Sequence, residues 1–103
     1  MNRRCLAHGV AKQKDVDINA HALCRMIERG SQFGLSFYET RERVHQVICH
    51  GSVAKRKHRS RNCVTYYSYF PDNLSFYVIC EERQRTNGIQ ILVRTVIIEE
   101  GRE

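Results

Sequence analysis

The spacing of the apolar residues changes at Cys63, and this change is the strongest constraint on the fold. Between residues 20 and 49 apolar residues recur every three or four positions, as in amphipathic helices, and from Cys63 onward they alternate, as in strands. Helices followed by strands predict an α+β domain. The 103 residues suffice for one such domain. We assign residues 1–15 to a basic N-terminal arm and residues 16–103 to the domain.

The first predicted helix begins after Asn19 and ends near Gly30. Asn19 is a favourable N-cap, because its side-chain oxygen accepts a hydrogen bond from a free N–H group of the first turn. Glycine is the preferred residue just past the C-terminus of a helix, at the C′ position. The apolar face of this helix carries Ala22, Leu23, Met26 and Ile27. The helix is therefore amphipathic, and we expect it to pack that face on the core.

A neighbouring face of the same helix carries His21, Arg25 and Arg29, which follow one another at intervals of four residues. Residues at this spacing lie on one side of a helix, and we call these residues the basic line. The line is either a solvated surface or a phosphate site, since the planar guanidinium fork fits phosphate well. The positive end of the helix dipole favours a neutral imidazole at His21, a form that accepts a proton. The basic line is the leading candidate for a functional site.

The second predicted helix begins after Ser36 and runs to about Cys49. Ser36 and Glu39 have the S-x-x-E spacing of a capping box, which satisfies two N–H groups at the start of a helix. Gly51 then ends the helix. Its apolar positions are Phe37, Val44, Val47 and Ile48. This pattern indicates a helix with a structural role.

The densest positive run follows this helix and consists of Lys55, Arg56, Lys57, His58, Arg59 and Arg61. We expect the run at the tip of a hairpin, with residues 52–57 forming a strand. It is either a solvated loop or a contact surface for the phosphate backbone of a nucleic acid. Contacts of the second kind would hold a strand of nucleic acid in place without choosing its sequence.

Alternating apolar residues predict three antiparallel strands, over residues 63–70, 74–81 and 89–98. Residues 71–73 form a turn by their Pro-Asp-Asn chemistry, and Asn87 and Gly88 mark the next turn. Residues 52–57 are the expected fourth strand. The sequence leaves open whether Val16 and Ile18 add a further short strand. Both faces of the last strand are apolar, which predicts a central position in the sheet.

Arg94 lies on the last predicted strand and shares a face with Leu92 and Val96. A guanidinium in such a position needs an anion or a route to the edge of the sheet. Either an ion pair with Glu81 or Glu82 or a bound phosphate would supply the anion. Aromatic side chains on the other strands either pack within the sheet or stack with unpaired bases; these are Tyr66, Tyr67, Tyr69 and Tyr77.

The charge balance favours an anionic partner. Seventeen Lys and Arg residues against eleven Asp and Glu residues give a formal net charge of +6, which suits a nucleic acid, an acidic protein or a lipid surface. No apolar run approaches the roughly 18–20 residues of a membrane span. The first residues carry arginines but no apolar segment of the kind that secretory signals contain. We therefore expect a cytoplasmic protein.

The five cysteines are scattered, without a C-x-x-C pair. An odd, dispersed set in a chain without an export signal predicts reduced thiols rather than a disulfide framework. Cys49 and His50 would be the start of a zinc site, but no second pair stands at the spacing that zinc ligands use. We therefore expect no metal and no cofactor.

The first helix also carries a family signature. Residues 21–30, HALCRMIERG, match the HAxxRMxxRG pattern of a family of small domains of unknown function (DUF). With the second helix, the strand-rich half and the closing strand, the likeness covers about residues 16–98. These domains are similar in layout to BrnT and, more distantly, to RelE- and ParE-type toxins of toxin–antitoxin modules. The resemblance implies helices on one face of a twisted antiparallel sheet of about four strands, with the opposite, basic face binding RNA.

The resemblance further implies a metal-independent endoribonuclease of the toxin type, held in check by an acidic antitoxin. In this chemistry a base removes the proton of a 2′-OH, which attacks the adjacent phosphate while a cation stabilises the growing negative charge. By this resemblance His21 is the base or acid, and Arg25, Arg29 and Arg94 bind the phosphate. Thr95 adds a hydrogen bond if a bulge turns it toward the site.

A second acid or base is needed for the leaving oxygen, and His50 or His58 would supply it. The positive run at residues 55–61 would bind the flanking phosphates. The linker between the helices is longer than the resemblance leads us to expect, which allows a different orientation of the second helix. The alternative function is a non-catalytic module that binds RNA or a protein partner on the same basic face, because one fold hosts many functions.

Overall fold

The computed structural model describes residues 2–6, 13–86 and 88–103, with side chains over 14–86 and 88–103. The elements in chain order are β1 (Asn2–Leu6), β2 (Gln13–Ile18), α1 (Ala20–Ser31), α2 (Phe37–His50), β3 (Ser52–Val53), β4 (Val64–Phe70), β5 (Leu74–Arg85) and β6 (Gly88–Glu100). The predicted α+β class, with both helices ahead of the strand-rich half, is confirmed.

The described strands form one mixed sheet in the order β1-β2-β6-β5-β4-β3. β2 runs parallel to β6, whereas every other neighbouring pair is antiparallel. The expected antiparallel sheet of about four strands is therefore wrong in number and in direction. The sequence signal for β1 and β2 is weak, because both are short and rich in charged residues. The strand expected over residues 52–57 covers only Ser52–Val53 and continues as a loop.

β6 occupies the centre of the sheet, between β2 and β5. This position confirms the prediction made from its two apolar faces. β4 and β5 are joined by the predicted turn at residues 71–73, where Asn73 adopts the left-handed φ of 65° that turns often require. Asn87, in the second predicted turn, lies outside the described residues.

Both helices pack on the same face of the sheet. α1 lies against β6, and α2 lies against β4 and β5. Burying one aliphatic or aromatic side chain of this kind stabilises the fold by about 1.5–3 kcal/mol. The fully buried members of this core are Ala22, Met26, Val44, Val47, Ile48, Phe76, Val78, Cys80, Ile91 and Val96. Among the described residues no helix combines the length and the apolar character needed to cross a bilayer.

Local capping chemistry sets the start of each helix, as predicted. The Asn19 side chain accepts a hydrogen bond from the backbone N–H of Ala22 at 2.8 Å. At α2 the Ser36 hydroxyl accepts from the N–H of Glu39, and the Glu39 carboxylate accepts from the N–H of Ser36, both at 3.0 Å. Gly51 is the C-cap of α2. These contacts depend only on near neighbours, so the sequence predicts them well.

Gly30 has a different role from the one expected. α1 continues through Gly30 to Ser31, with Gln32 as its C-cap, so the prediction of a C′ glycine is wrong. A Cβ at Gly30 would lie 2.1 Å from the Oγ1 atom of Thr40, which is fully buried on α2. The glycine is therefore required by the close approach of the two helices, a tertiary contact that the sequence of α1 does not reveal.

The face of the sheet opposite the helices is also partly covered. Tyr67 and Tyr77 are directly opposed on β4 and β5, so they share this face, with ring centroids 5.0 Å apart. The loop of residues 54–63, the basic loop, folds over them, and the His58 ring packs edge-on against Tyr77 at 4.6 Å. Tyr77 is fully buried as a result. This second, smaller layer replaces the projecting hairpin tip that the sequence suggested.

Candidate functional site

Arg29 connects the basic line of α1 to the closing strand. Its Nη1 atom donates to the backbone carbonyl of Val96 and lies 3.3 Å from the Oγ1 atom of Thr95. β2 ends at Ile18, which pairs with Val93, so no strand of the described part of the chain lies beside the edge of β6 beyond Val93. Arg29 supplies a donor to this open edge, where an unpaired carbonyl would otherwise need water.

A β-bulge places Thr95 within reach of Arg29. On β5 the partner of Ile79 is Thr95 and the partner of Cys80 is Val93, so Arg94 is the extra residue. The bulge changes the alternation, and Val93 and Val96 both lie in the core. The expectation that Arg94 shares a face with Val96 is therefore wrong, because the simple two-residue period does not continue through a bulge.

Arg94 is exposed and forms an ion pair with Glu81, the first of the two acidic partners considered, at 3.5 Å between Nη2 and Oε1. Arg25 similarly pairs with Glu28 on its own helix at 3.3 Å. Exposed pairs of this kind are weak, in general about 0–1 kcal/mol. Both guanidiniums are therefore available to a stronger anion such as phosphate.

His21 is exposed at the start of α1, and its imidazole makes no hydrogen bond or ion pair within the described part of the chain. The rise of an α-helix separates the Cα atoms of His21 and Arg29 by roughly 12 Å. The basic line is thus long enough to follow a stretch of nucleic-acid backbone. Of the five predicted site residues, the structure brings Arg29 and Thr95 into contact and leaves His21, Arg25 and Arg94 at the surface.

The basic loop is held on the sheet by acidic residues of the C-terminal segment. The carboxylate of Glu99 on β6 contacts His58 Nε2 at 3.0 Å and Lys57 Nζ at 3.6 Å. The carboxylate of Glu103 accepts hydrogen bonds from the backbone N–H groups of Lys55, Arg56 and Lys57. Arg59 and Arg61 are exposed, so part of the positive run faces solvent.

Glu103 is the residue of this site that the sequence does not reveal. Partial burial opposes its ionised form, but the hydrogen bonds from Lys55, Lys57 and Arg56 outweigh it and hold the pKa of the carboxyl below its ordinary value. The sequence shows only that two acidic residues, Glu99 and Glu103, follow the basic run at a distance of roughly 40 residues. Nothing in their spacing indicates that they meet.

The tyrosines divide between packing and exposure. Tyr66 lies on the helix side and donates a hydrogen bond to Glu82, and burial together with that bond raises the pKa of its hydroxyl. Burial raises the pKa of Tyr77 to about 12. Tyr69 is partly exposed, and the Arg102 guanidinium lies 4.6 Å from the centre of its ring. Tyr67 and Tyr69 line a surface cavity of about 300 Å³, so these two of the four strand tyrosines are accessible to a ligand.

The cysteines correct one expectation. Cys24, Cys63 and Cys80 are free thiols, and burial raises the pKa of Cys80. Cys49 is disulfide-bonded, so the expectation of reduced thiols is wrong for this residue, because chain spacing does not show which side chains approach one another. The side chain of Cys5 lies outside the described residues. Within residues 14–86 and 88–103 no group of three or more His, Cys, Asp or Glu residues is arranged to hold a metal ion.

Comparison with known proteins leaves this site to be interpreted from its own geometry. No family model, no curated protein and no solved structure matches the chain.

Proposed function

We propose that this protein binds RNA through its basic surfaces and cleaves it as an endoribonuclease of the toxin type. The observation that carries the proposal is the contact of Arg29 with Thr95 and Val96 on the open edge of β6. This contact joins the basic line of α1 to the closing strand, next to the exposed Arg94. The α+β arrangement with both helices on one face of the sheet supports the RelE/BrnT-like layout that the resemblance implies.

In the proposed reaction the imidazole of His21 accepts the proton of a ribose 2′-OH. The oxygen then attacks the adjacent phosphorus, the bond to the 5′-oxygen breaks, and that oxygen takes up a proton. Arg25, one helical turn from His21, neutralises the charge that builds up on the phosphorane. Arg29 and Arg94 bind the neighbouring backbone, and the hydroxyl of Thr95 keeps the Arg29 fork in place.

The second acid–base group comes from outside α1. His58 contacts Glu99, which lies four residues beyond Thr95 on β6, or roughly 13 Å along an extended strand. His50, the other histidine considered, lies at the C-terminus of α2. The separation of the His58–Glu99 pair from Thr95 makes water the donor to the leaving oxygen in this proposal, with His58 holding the loop.

The proposal includes cytoplasmic action and an acidic inhibitor. A net charge of +6 and exposed arginines on two surfaces suit an acidic antitoxin that covers the same groups as RNA. A reducing cytoplasm disfavours the disulfide at Cys49, so the protein would act there with that bond reduced.

The second candidate is a non-catalytic module that binds RNA or a protein partner. It is favoured by the carboxylate partners of Arg25 and Arg94 and by the single acid–base group on the basic line. Such a module needs charge and shape but no proton transfer, so His21 has no special place in it.

Two substitutions separate these functions. His21→Asn should lower the rate of RNA cleavage in EDTA by roughly a hundredfold while RNA affinity stays within about a factor of two. Arg25→Gln should lower both. His50→Asn is the matched control, because it removes an exposed histidine from the other helix. If His21→Asn and His50→Asn leave cleavage equally unchanged, or if purified protein cleaves no RNA, the nuclease proposal fails and the binding module stands.

A further inference from the structure

Three successive backbone N–H groups of the basic loop converge on one carboxylate. The N–H groups of Lys55, Arg56 and Lys57 donate to the Glu103 oxygens at 3.0, 3.3 and 3.2 Å. The next residue, His58, has a left-handed φ of 57°, so the chain turns directly after the three donors. Consecutive N–H groups in such a turn form a concave anion site, which we call the 55–57 nest.

The nest already holds an anion, supplied by the protein itself. The Glu103 carboxylate is bound through both of its oxygens, and its own N–H donates to the Tyr67 hydroxyl at 3.0 Å. A carboxylate and a phosphate present similar pairs of negative oxygens to N–H donors. Glu103 therefore shows the position that the oxygens of a phosphate would occupy.

The surroundings of the nest suit a nucleotide. A surface cavity of about 300 Å³ adjoins it, lined by Ser52, Lys55, Tyr67, Tyr69, Arg102 and Glu103. The cavity thus has cations for a phosphate and aromatic rings on which a base can stack. The exposed Arg59 and Arg61 continue the positive charge along the loop.

We infer that the 55–57 nest is a binding site for a backbone phosphate of a single-stranded nucleic acid, and that Glu103 occupies it as an internal competitor. The nucleic acid displaces the Glu103 side chain, and the three N–H groups then bind a phosphate oxygen pair. This inference deepens the proposed function, since it takes the ligand class from it, but it does not require cleavage. Binding at the nest is independent of base sequence, because the donors belong to the backbone.

Two charge-matched variants test the competition. Glu103→Gln removes the charge in the nest, and Glu100→Gln removes the same charge from an exposed residue of β6 outside it. Both raise the net charge by one, so they change non-specific attraction equally. The probe is a short oligothymidylate, which lacks the 2′-OH and is not a substrate. An occupant that fills the nest about nine-tenths of the time lowers apparent affinity about tenfold, so Glu103→Gln should bind roughly tenfold tighter than Glu100→Gln.

NMR of the unmutated protein provides the second measurement, because the loop could lose its shape without Glu103. The amide signals of Lys55, Arg56 and Lys57 should shift on addition of the oligothymidylate. Equal affinities of the two variants together with unmoved amides in the unmutated protein overturn the inference. Shifts with inorganic phosphate but not with the oligothymidylate overturn the nucleic-acid assignment. Tighter binding by Glu103→Gln in a protein that cleaves no RNA supports the nest and rejects only the nuclease.

Discussion

Arg29 on α1 donates to the Val96 carbonyl beside Thr95, on the part of β6 that extends beyond its described pairing with β2. The guanidinium thus has two roles in this account: it stabilises an unpaired strand edge, and it presents its remaining N–H donors to phosphate. An arginine has five N–H donors, so the first duty does not use up the side chain. The stability contribution is the part that can be measured without RNA.

A double-mutant cycle should detect this contact in the free energy of unfolding. Arg29→Ala should destabilise the protein by about 1–2 kcal/mol, because it leaves the Val96 carbonyl without its donor. The coupling with Thr95→Val should be about 0.5–1 kcal/mol by urea unfolding. Arg25→Ala is the control, since its exposed ion pair should contribute less than about 0.5 kcal/mol. Equal losses for Arg25→Ala and Arg29→Ala would contradict the edge contact.

Gly30→Ala should destabilise the protein, although alanine is the better helix former. In an open helix the change would stabilise by roughly 0.5–1 kcal/mol. Here the added Cβ would lie 2.1 Å from Thr40 Oγ1, so we expect a net loss of about 1–3 kcal/mol as the helices move apart. Thermal unfolding of Gly30→Ala and of Gly30→Ala with Thr40→Ala checks this. The double variant should recover part of the lost stability. If it recovers none, the contact with Thr40 is not the cause of the loss.

Tyr77→Phe should leave the protein as stable or raise its stability by up to about 1 kcal/mol. The buried Tyr77 hydroxyl has no hydrogen-bond partner among the described residues, so its removal deletes an unsatisfied polar group. Tyr67→Phe is the matched control and should cost about 1 kcal/mol, because the Tyr67 hydroxyl bonds to Ser75 and to the N–H of Glu103.

The unmutated protein and Tyr77→Phe should differ in how their stability changes at alkaline pH. Burial raises the pKa of Tyr77 from an ordinary 10.0 to about 12. A raised pKa means that this group does not change stability with pH below pH 10, and that the fold loses stability as the pH rises toward 12, since the unfolded chain releases the proton first. The stability of Tyr77→Phe should therefore fall less steeply over that window. If the free energies of unfolding of the two proteins, measured in urea, fall in parallel over this pH range, the burial of the Tyr77 hydroxyl is contradicted.

Part of this structure follows from local sequence and part does not. The capping contacts of Asn19 and Ser36 and the central position of β6 are predictable, because they depend on near neighbours or on the composition of one strand. The parallel pairing of β2 with β6 is not, since neither strand encodes its neighbour. The bulge at Arg94 likewise appears only when β5 and β6 are aligned.

The candidate site likewise has features that the sequence predicts and features that only the fold reveals. The spacing of His21, Arg25 and Arg29 is visible in the sequence, and so is the basic run. The contact of Arg29 with Thr95 and the capture of the run by Glu103 join residues that are far apart in the chain. Contacts of that kind are set by the packing of the whole domain.

The salt dependence of RNA binding measures how many phosphates the basic loop contacts. Arg59→Gln with Arg61→Gln should reduce the slope of log affinity against log salt by about 1.4, at roughly 0.7 for each phosphate on a single strand. Arg83→Gln with Arg85→Gln removes the same charge from the exposed end of β5 and should change the slope much less. Equal slopes for the two double variants, measured by fluorescence anisotropy, would mean that the loop makes no specific backbone contact.

The most direct test of the central claim is the cleavage of an RNA oligonucleotide that carries one 2′-deoxy nucleotide at the mapped cleavage position. If the basic line activates the 2′-OH, this single change should abolish cleavage at that position and leave RNA affinity within about a factor of two. The unmodified substrate should yield a 2′,3′-cyclic phosphate end. Cleavage of the 2′-deoxy substrate at the same position and rate would contradict the proposed chemistry of His21 and its two arginines.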